Sequence, residues 1–496
     1  MNIVLIRFGL RKGARGSIPW HYSFFKDILT ADGHSVNIVD NQIENLTIKE
    51  LVDYVIKNKY QLVGTGGIGT VYNPLKRFCL LLKKRNPYTQ IVVGGQIVAD
   101  YEFILEEIPI DIAVLGEGEV TLKKIVDAID NDIELSSIPG IAFKNRNKII
   151  RTKPEKLIHL DSLPDYNFRN INLQAYNTNV PENFIVNHKA RRLKSKGNKY
   201  LNIFLARGCP HNCIFCYRHI KGYRTFGYER LEEILCRLKN KGFSFFSYGD
   251  ECITANRNNL CNICELSIKY DLFWMTSGRI NHVTEDIMNM LKKSNCIGLQ
   301  FGVESFDQDM LDAMKKNTTC EQNIKVMNWC YQYGLHTVLQ LVIGIPGEDR
   351  KTLYNTRKGM WKCYFKADRI ACAILNPYPG SPAYYFGIKN GYIKDKEFLH
   401  QEVAGKTKIV VNFSKLSNRE LYAWQQWIIC EATLSFRIKH NRLSLNRNLF
   451  SRFAHFVIAY LKLFYEPLNF LMFNVYLFKG LTFWLKPLKK LKWGEL

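Results

Sequence analysis

Residues 206–217 read ARGCPHNCIFCY and follow a strand-like apolar run at 201–206. This stretch places Cys209, Cys213 and Cys216 on one short loop with the spacing CxxxCxxC. Thiolates on one loop can converge on a single iron–sulfur cluster, and most such clusters take four cysteine ligands. With three, one iron keeps a coordination position for another ligand.

Two other interpretations of these cysteines stay open at this point. They are ordinary buried thiols, or a zinc site that lacks its fourth ligand. Zinc sites usually pair CxxC knuckles or add histidines at set spacings, whereas His211 lies inside the cysteine loop at no standard spacing.

The sequence around the cysteine loop alternates strand-like and helical patterns. Strands are predicted at 201–206, 243–248, 271–275, 297–303, 336–343 and 369–375, with helical patterns such as 231–241 and 307–316 between them. Six such units predict an incomplete parallel (β/α)6 barrel that is open on one side. Its chemistry should lie at the carboxyl ends of the strands.

The cysteine loop resembles the motif of the radical S-adenosylmethionine (radical SAM) superfamily. The resemblance implies a 4Fe-4S cluster on the three cysteines, which act as metal ligands and catalytic residues, and S-adenosylmethionine bound to the fourth iron. It further implies reductive cleavage to a 5′-deoxyadenosyl radical. Phe215 matches the position that packs near the adenine.

Segments after the later strands are similar to those that bind S-adenosylmethionine in this family. Asp250 and Glu251 would receive the amino group, although two acidic residues there could instead cap the next helix. Arg279 would lie near the methionyl carboxylate. The remaining expected contacts follow the fourth and fifth strands: Glu304 and Ser305 at the ribose, and Gly344 and Pro346 along the adenosine.

The first 130 residues predict a doubly wound parallel sheet, with strands at 2–8, 35–40, 61–66, 90–95 and 111–115. Helices are predicted near 22–31, 47–58, 74–85 and 120–130. Glycine-rich turns follow the third, fourth and fifth strands, where such sheets bind ligands. The alternative is that these glycines serve only as tight turns.

Sheet followed by barrel resembles the cobalamin-binding subgroup of the radical SAM superfamily, over residues 1 to about 400. The resemblance implies cobalamin over the strand ends, with five residues expected at the site: Gly66, Gly67, Gly94, Gly95 and Glu117. Gly-Gly-Gln-Ile at 94–97 departs from the usual Gly-Gly-Pro-His, and there is no Asp-x-His-x-x-Gly segment for an axial histidine.

We therefore expect four regions. These are a cobalamin-binding-like Rossmann domain at 1–135, a connector at 136–200, the partial barrel at 201–385 and a helical, basic region at 386–496. The connector contains a hairpin candidate at 140–150 and a basic run at 189–199. Cys261 and Cys264 form a CxxC that is better explained by buried thiols, while Cys252 beside Glu251 is the other thiol of interest.

Charge bears on the partners. The net charge is +24, and from residue 401 onward 15 Lys and Arg stand against 5 Asp and Glu, so ten of the 24 charges lie there. We expect this region to cover the open side of the barrel. The alternative is that the lysines and tryptophans at 483–496 rest on an anionic membrane. No signal peptide is recognised, which predicts a cytoplasmic protein, peripheral at the membrane under that alternative.

The expected function is methyl transfer to an unactivated carbon of a small-molecule or lipid-like substrate. An external donor of the flavodoxin or ferredoxin type would supply electrons, and no nucleic-acid partner is expected. The alternative is an oxidative cyclisation like that of the anaerobic magnesium-protoporphyrin ester cyclases. A tRNA methylthiotransferase ranks third, because the first 130 residues contain only Cys79 and the C-terminal region reads as helical.

Overall fold

The architecture comes from a computed structural model that describes most of the chain. The described residues are 1–9, 17–176, 178–179, 199–218, 220–363, 366–403, 409–439, 447–461, 466, 468, 470–475 and 477. The predicted basic run, apart from Lys199, and the tail at 483–496 lie outside them.

The N-terminal region forms a seven-stranded sheet in the order β2-β1-β3-β4-β5-β6-β7. Its strands are β1 Asn2–Arg7, β2 Ser35–Asp40, β3 Leu62–Gly66, β4 Gln90–Gly94, β5 Ile112–Val114, β6 Ile141–Asn145 and β7 Lys148–Arg151. The first five are parallel, and β6 and β7 add to the β5 edge as an antiparallel hairpin. The predicted sheet and the hairpin at 140–150 are therefore confirmed.

Helices cover both faces of this sheet, as parallel strands buried on both sides require. They are α1 Trp20–Ala31, α2 Asn41–Glu44, α3 Ile48–Lys57, α4 Tyr72–Arg85, α5 Tyr101–Glu107 and α6 Gly118–Asp130. Residues of α3, α4 and α5 share one buried apolar cluster, and residues of α1 and α6 share another. The sheet continues to Arg151, while the predicted domain boundary at 135 stays a prediction.

The second sheet has six parallel strands in the order β15-β14-β13-β12-β11-β8. They are β8 Lys199–Ile203, β11 Phe243–Tyr248, β12 Phe273–Gly278, β13 Cys296–Glu304, β14 His336–Ile343 and β15 Arg369–Ile374. Among the described residues β8 and β15 do not pair with each other, so the predicted half-barrel is confirmed. Its helices are α7 Tyr228–Asn240, α8 Arg257–Lys269, α9 Glu285–Lys293, α10 Gln308–Ala313, α11 Cys320–Gln332 and α12 Arg350–Trp361.

The first barrel strand differs from its prediction. It ends at Ile203 instead of residue 206, and Ala206–Arg207 forms a separate strand, β9, that pairs antiparallel with β10, Arg224–Thr225. The reason is that the backbone N–H groups of Leu205 and Ala206 donate to Asp250 Oδ1, at 2.8 and 2.6 Å, and so leave the parallel ladder.

The C-terminal region is helical where it is described, as predicted. It comprises α13 Pro382–Lys389, α14 Lys396–Glu402, α15 Asn418–Lys439 and α16 Arg447–Leu461. Trp424 and Ile428 of α15 are buried in the same apolar cluster as the barrel, and Gln425 donates to the carbonyl of Cys372 in β15 at 3.1 Å. Helix α15 therefore packs against β15, an edge strand of the half-barrel, while the prediction that this region covers the open side stays a prediction.

Candidate functional site

The cysteine loop follows β9 at the carboxyl ends of the barrel strands. Gly208 begins it with φ of 86°, and a Cβ there would lie 2.4 Å from the Gly222 carbonyl oxygen, so only glycine fits. The loop is held on its other side by two backbone hydrogen bonds, Ile214 N to Met314 O at 3.1 Å and Ala383 N to Ile214 O at 2.9 Å. The three cysteines are therefore presented on a fixed turn.

Arg279 lies against this turn. It is 6% exposed, and its Nη1 donates to Cys213 Sγ at 3.1 Å while its Nε donates to Asn281 at 3.1 Å. The backbone N–H of Arg279 donates to Thr254 Oγ1 at 3.0 Å. A buried guanidinium fixed at several points supplies a positive charge of set direction beside the thiols.

A second group of ligand-type side chains adjoins the cysteines. His211, Cys252 and His282 each bring one ligand atom within 4.8 Å of the others. The two Nε2 atoms of the histidines are 3.1 Å apart, and Cys252 Sγ is 3.8 Å from His282 Nδ1. A hydrogen bond from Cys252 is the largest cause that lowers the pKa of Cys209 to about 6. Cys252 thus belongs to the site, as its sequence position indicated.

Glu304 ends β13 with a buried carboxylate and φ of 65°, a strained value for a residue other than glycine. Its Oε1 accepts from Lys316 Nζ at 2.8 Å. The same ammonium lies 5.8 Å from the centre of the Phe215 ring, and the backbone carbonyl of Lys316 accepts from Arg279. Four charged or aromatic residues therefore form one connected group next to Cys213.

Lys316 was not predicted as a site residue. In the sequence it is the second of two lysines that end a helical pattern, and such positions are usually solvated. In the structure it is 6% exposed and paired with Glu304. The signal that the sequence offers is that Lys316 follows the fourth barrel strand. A single lysine at such a position does not show whether its side chain is buried.

Asp250 and Glu251 lie in different environments in the structure. Asp250 is 3% exposed, holds the Leu205 and Ala206 amides through Oδ1, and has a pKa raised by burial to about 7. Its Oδ2 has no hydrogen-bond partner within the described part of the chain. Glu251 is exposed at the barrel mouth. Neither residue caps the following helix, which is capped by Asn256.

The loops after β13 and β14 use part of the predicted set for their own folding. The Ser305 hydroxyl contacts Thr356 Oγ1 at 2.6 Å and accepts from Asp307 N at 3.0 Å. Gly344 has φ of 80°, and its N–H donates to the buried carboxyl of Glu348. Pro346 lies partly exposed in the same turn. Their expected contacts to S-adenosylmethionine stay predictions.

The predicted glycines of the N-terminal sheet pack against each other. A Cβ on Gly66 would lie 2.3 Å from the Gly94 carbonyl oxygen, and one on Gly95 would lie 2.8 Å from the Gly67 carbonyl oxygen. Gly66 and Gly95 are therefore required as glycines by the close packing of neighbouring strand ends, whether or not a ligand binds there. Gly116 differs, because a Cβ there would meet nothing within 4 Å.

Glu117 joins the two sheets. Its Oε1 accepts from Arg207 Nη1 at 3.0 Å and from Arg224, and Glu119 accepts from Arg207 Nη2 at 2.7 Å. Burial raises the pKa of Glu119, but hydrogen bonds and charges from His21 and Arg207 outweigh it and hold that pKa well below its usual range. The turn at 116–119 is thereby tied to the residue just before the cysteine loop.

A cavity of about 450 Å³ lies where the two sheets meet. Gly116 and Glu117 line it from the turn after β5, and Tyr217 and Ile220 line it from the side of the cysteine loop. Gly380 packs tightly between two of its lining residues, since a Cβ there would lie 2.6 Å from both Ala99 and Tyr217. The strand ends of one sheet therefore face the cysteine loop of the other across an open space.

These residues fit the expected cofactors. The thiols share one loop beside a buried guanidinium, and the charges of Arg279, Glu304 and Lys316 suit a zwitterionic nucleoside. The cavity lies between the turn at 116–117 and the cysteine loop, whereas the predicted glycines at 66, 67, 94 and 95 are not among its lining residues. No histidine lines the described part of this cavity, consistent with the missing axial-histidine segment.

The chain contains a radical SAM domain and, before it, a B12-binding domain. Residues 203–358 match the Radical SAM superfamily, and residues 22–126 match the B12 binding domain. The order of the two domains is the one that the sequence motifs predicted.

Three known proteins illustrate the likeness. The chain is 28% identical to the uncharacterized methyltransferase PH0819 of Pyrococcus horikoshii, over 74% of this chain and 77% of that protein. It is 27% identical to the anaerobic magnesium-protoporphyrin IX monomethyl ester cyclase of Rubrivivax gelatinosus, over 73% of this chain and 65% of the cyclase. The structure of TsrM from Kitasatospora setae with cobalamin and a 4Fe-4S cluster shares the fold, with a TM-score of 0.64 at 16% identity, covering 77% of this chain and 76% of TsrM.

Proposed function

We propose that this protein is a cobalamin-dependent radical SAM methyltransferase that acts on an unactivated carbon. Cys209, Cys213 and Cys216 would hold a 4Fe-4S cluster, and the residues around Arg279 would bind S-adenosylmethionine. Cobalamin would occupy the cavity between the two sheets. When bound, the cluster supplies the electron for cleaving S-adenosylmethionine, and cobalamin supplies the methyl group.

The observation that carries this proposal is the cavity shared by the two sheets. It is lined by the turn after β5 on one side and by Tyr217, next to Cys216, on the other. Two cofactors that exchange groups with one substrate must lie within reach of it. The relation to a methyltransferase over 74% of the chain supports the same reaction class.

The chain's own residues bind, orient and shield. Arg279 offers its guanidinium to the methionyl carboxylate while it keeps Cys213 in place. Glu304 accepts hydrogen bonds from the ribose, and Lys316 holds its carboxylate in the required direction. Burial of Arg279 and Glu304 limits the access of water at this end of the barrel, which would protect a reactive carbon from unintended hydrogen donors.

A second candidate is an oxidative cyclase. The relation to the magnesium-protoporphyrin ester cyclase favours it, since the match spans 73% of this chain. The same residues would bind S-adenosylmethionine in that case. The difference would lie in the substrate, whose carbon radical would close a ring instead of accepting a methyl group.

The proposal includes a small-molecule or lipid-like substrate and an external electron donor of the flavodoxin or ferredoxin type. Cys216 is exposed, which offers the donor a short path to the cluster. It also includes a cytoplasmic location, with a peripheral position at an anionic membrane as the alternative.

Anaerobic reconstitution tests the cluster assignment. We expect about four irons and four sulfides in the intact protein, together with 5′-deoxyadenosine when S-adenosylmethionine and a reductant are added. Replacing all three cysteines with Ala should abolish both, whereas replacing Cys261 and Cys264 should abolish neither. A full cluster in the triple variant would contradict the assignment.

The products separate methyl transfer from cyclisation. A methyl group taken from S-adenosylmethionine leaves S-adenosylhomocysteine, so a methyltransferase should form this product and 5′-deoxyadenosine in comparable amounts. A cyclase should form 5′-deoxyadenosine without it. Mass spectrometry of both nucleosides under turnover with cell extract as the substrate source gives the ratio.

A further inference from the structure

Exposed apolar side chains cluster at the C-terminal end of the described chain. Seven of the eighteen large hydrophobic residues that are exposed in the described part lie between 453 and 475. We call them the outer face: Phe453, Ile458, Leu461, Leu468, Leu471, Met472 and Val475. Leu468 and Leu471 are the most exposed, at 72% and 63%. Contiguous exposed apolar surface of this kind usually marks a binding site.

The helical period places these residues together. Successive helical residues are about 100° apart, so 453, 457, 461, 454 and 458 of α16 form one continuous side. The helical residues at 468 and 470–475 repeat the pattern, with 471, 475, 468 and 472 adjacent around the axis. Within α16, residues 453–461 contain no Asp, Glu, Lys or Arg.

Other side chains of the same segments already attach them to the protein. Phe473 is fully buried, with its ring centre 5.3 Å from those of Trp424 and Trp427. Tyr460 contacts Phe470 at 5.2 Å and donates to Asn474 at 2.7 Å. Attachment to the barrel therefore accounts for the inner aromatic residues and leaves the outer face unexplained.

The net charge of the C-terminal region indicates which partner covers the outer face. The last 96 residues hold 15 Lys and Arg against 5 Asp and Glu. A second copy of the chain would bring two such basic segments together, which like-charge repulsion opposes. An anionic bilayer offers apolar acyl chains beneath a negative surface, and so complements both the outer face and the charge. None of the described helices is both long and apolar enough to cross a bilayer.

We propose that the outer face docks on an anionic phospholipid bilayer, with its apolar side chains entering the boundary between headgroups and acyl chains. Basic residues of the C-terminal region would contact the headgroups. This surface is distinct from the basic tail at 483–496, which carries lysines and tryptophans of its own. The proposal does not depend on which cofactors the protein holds.

Vesicle co-sedimentation of the full-length protein tests the docking. The probes are vesicles of phosphatidylcholine alone and of phosphatidylcholine mixed with phosphatidylglycerol. The test variant is Leu468→Glu with Leu471→Glu. The matched control is Leu80→Glu with Ile268→Glu, which are 50% and 57% exposed elsewhere on the molecule. Both variants add two negative charges, so only their location differs.

We expect the wild-type protein to bind the anionic vesicles. The test variant should bind at least about tenfold more weakly, because two leucine side chains are no longer transferred from water into the bilayer. The control should lose much less. Circular dichroism melting verifies that both variants fold. Equal binding by the test variant and the control would overturn the proposal.

Absence of wild-type binding to anionic vesicles would overturn it too. Sedimentation velocity then names the alternative occupant: a wild-type dimer that the test variant converts to a monomer would assign the outer face to a second copy. Formation of 5′-deoxyadenosine, measured on the same preparations, reports separately on the proposed function.

Discussion

Glu348 is a carboxyl group buried at the turn after β14. It is 1% exposed and accepts from Gly344 N, and burial raises its pKa from 4.5 to about 8. Below pH 4.5 the folded and unfolded states are both protonated. Between pH 4.5 and about 8 the unfolded state ionises while the folded state keeps its proton, so the free energy of unfolding falls as pH rises.

Replacing Glu348 with Gln should remove this dependence. We expect the variant to gain stability relative to the wild type as pH rises from 5 to 8, by on the order of 1 kcal/mol or more. Thermal unfolding of the apoprotein at several pH values measures the difference. Glu229→Gln, at an exposed position in α7, serves as control and should show no such trend. A constant difference between Glu348→Gln and the wild type would contradict the expectation.

The connected group of Phe215, Arg279, Glu304 and Lys316 shows the limit of single-residue reasoning. Three of the four were predicted from the family resemblance: Phe215 from its place beside the last cysteine of the motif, and Arg279 and Glu304 from segments that follow barrel strands. The fourth, Lys316, is recognised only by its pairing with Glu304. A buried charge is stable when it is paired, and pairing is a property of two positions that the sequence lists 12 residues apart.

Among the elements, helix α15 is joined to α12 by two ion pairs, of which the pair between Arg357 and Glu431 is the more buried. Arg357 of α12 is 1% exposed, and its Nε donates to Glu431 Oε2 at 2.8 Å. The guanidinium also lies 4.7 Å from the Trp361 ring centre and 3.4 Å from that of Trp427. Removing one member of such a pair leaves an uncompensated buried charge.

The substitution Glu431→Leu should therefore destabilise the folded protein by about 3–5 kcal/mol. Arg357→Leu combined with Glu431→Leu should recover most of that loss, because apolar pairs of similar volume often replace buried ion pairs without cost. Urea unfolding measures both, and limited proteolysis detects release of α15. A double variant no more stable than Glu431→Leu would show that packing on the tryptophans, and not the charge pair, holds the helix.

At the scale of the whole molecule, specific contacts join the N-terminal sheet region to the strand before the cysteine loop and to helices α13 and α14. Arg207 pairs with Glu117 and Glu119, Asp100 accepts from Tyr384 and Lys396, and Lys76 pairs with Glu397 at 2.8 Å. These contacts hold the glycine turns and the cysteine loop on opposite sides of one space. We therefore expect cobalamin binding to require the full chain.

Gly116→Trp should block that binding. A Cβ at Gly116 meets nothing within 4 Å and the residue lines the cavity, so a bulky side chain would fill it. Gly242→Trp is the control, since it also has positive φ and open space but lies outside the cavity lining. Hydroxocobalamin titration followed by visible spectra should show uptake by the wild type and the control, and at least about tenfold weaker uptake by Gly116→Trp.

A similar replacement at Gly66 would not test the same idea, although the sequence suggested it. Its Cβ would strike the Gly94 carbonyl oxygen at 2.3 Å and disturb the sheet itself. Unchanged uptake by Gly116→Trp would mean that cobalamin, if bound, lies elsewhere.

The sequence by itself determined both sheets and the place of the chemistry. Strand periodicity and the spacing of Cys209, Cys213 and Cys216 are local properties, and parallel strands carry their loops to one edge whatever the remaining side chains are. Local signals therefore sufficed for the doubly wound sheet, the half-barrel and the segments of expected cofactor contact.

Only the tertiary structure decided which contacts the residues of those segments make. It showed Asp250 holding the Leu205 and Ala206 amides, Glu117 tying the sheets through Arg207, and an apolar outer face left uncovered beyond α15. Each depends on atoms far apart in the chain, and the free energy of a buried charge or an apolar surface is set by what packs against it. The partners of a side chain follow from packing in three dimensions, which no local pattern encodes.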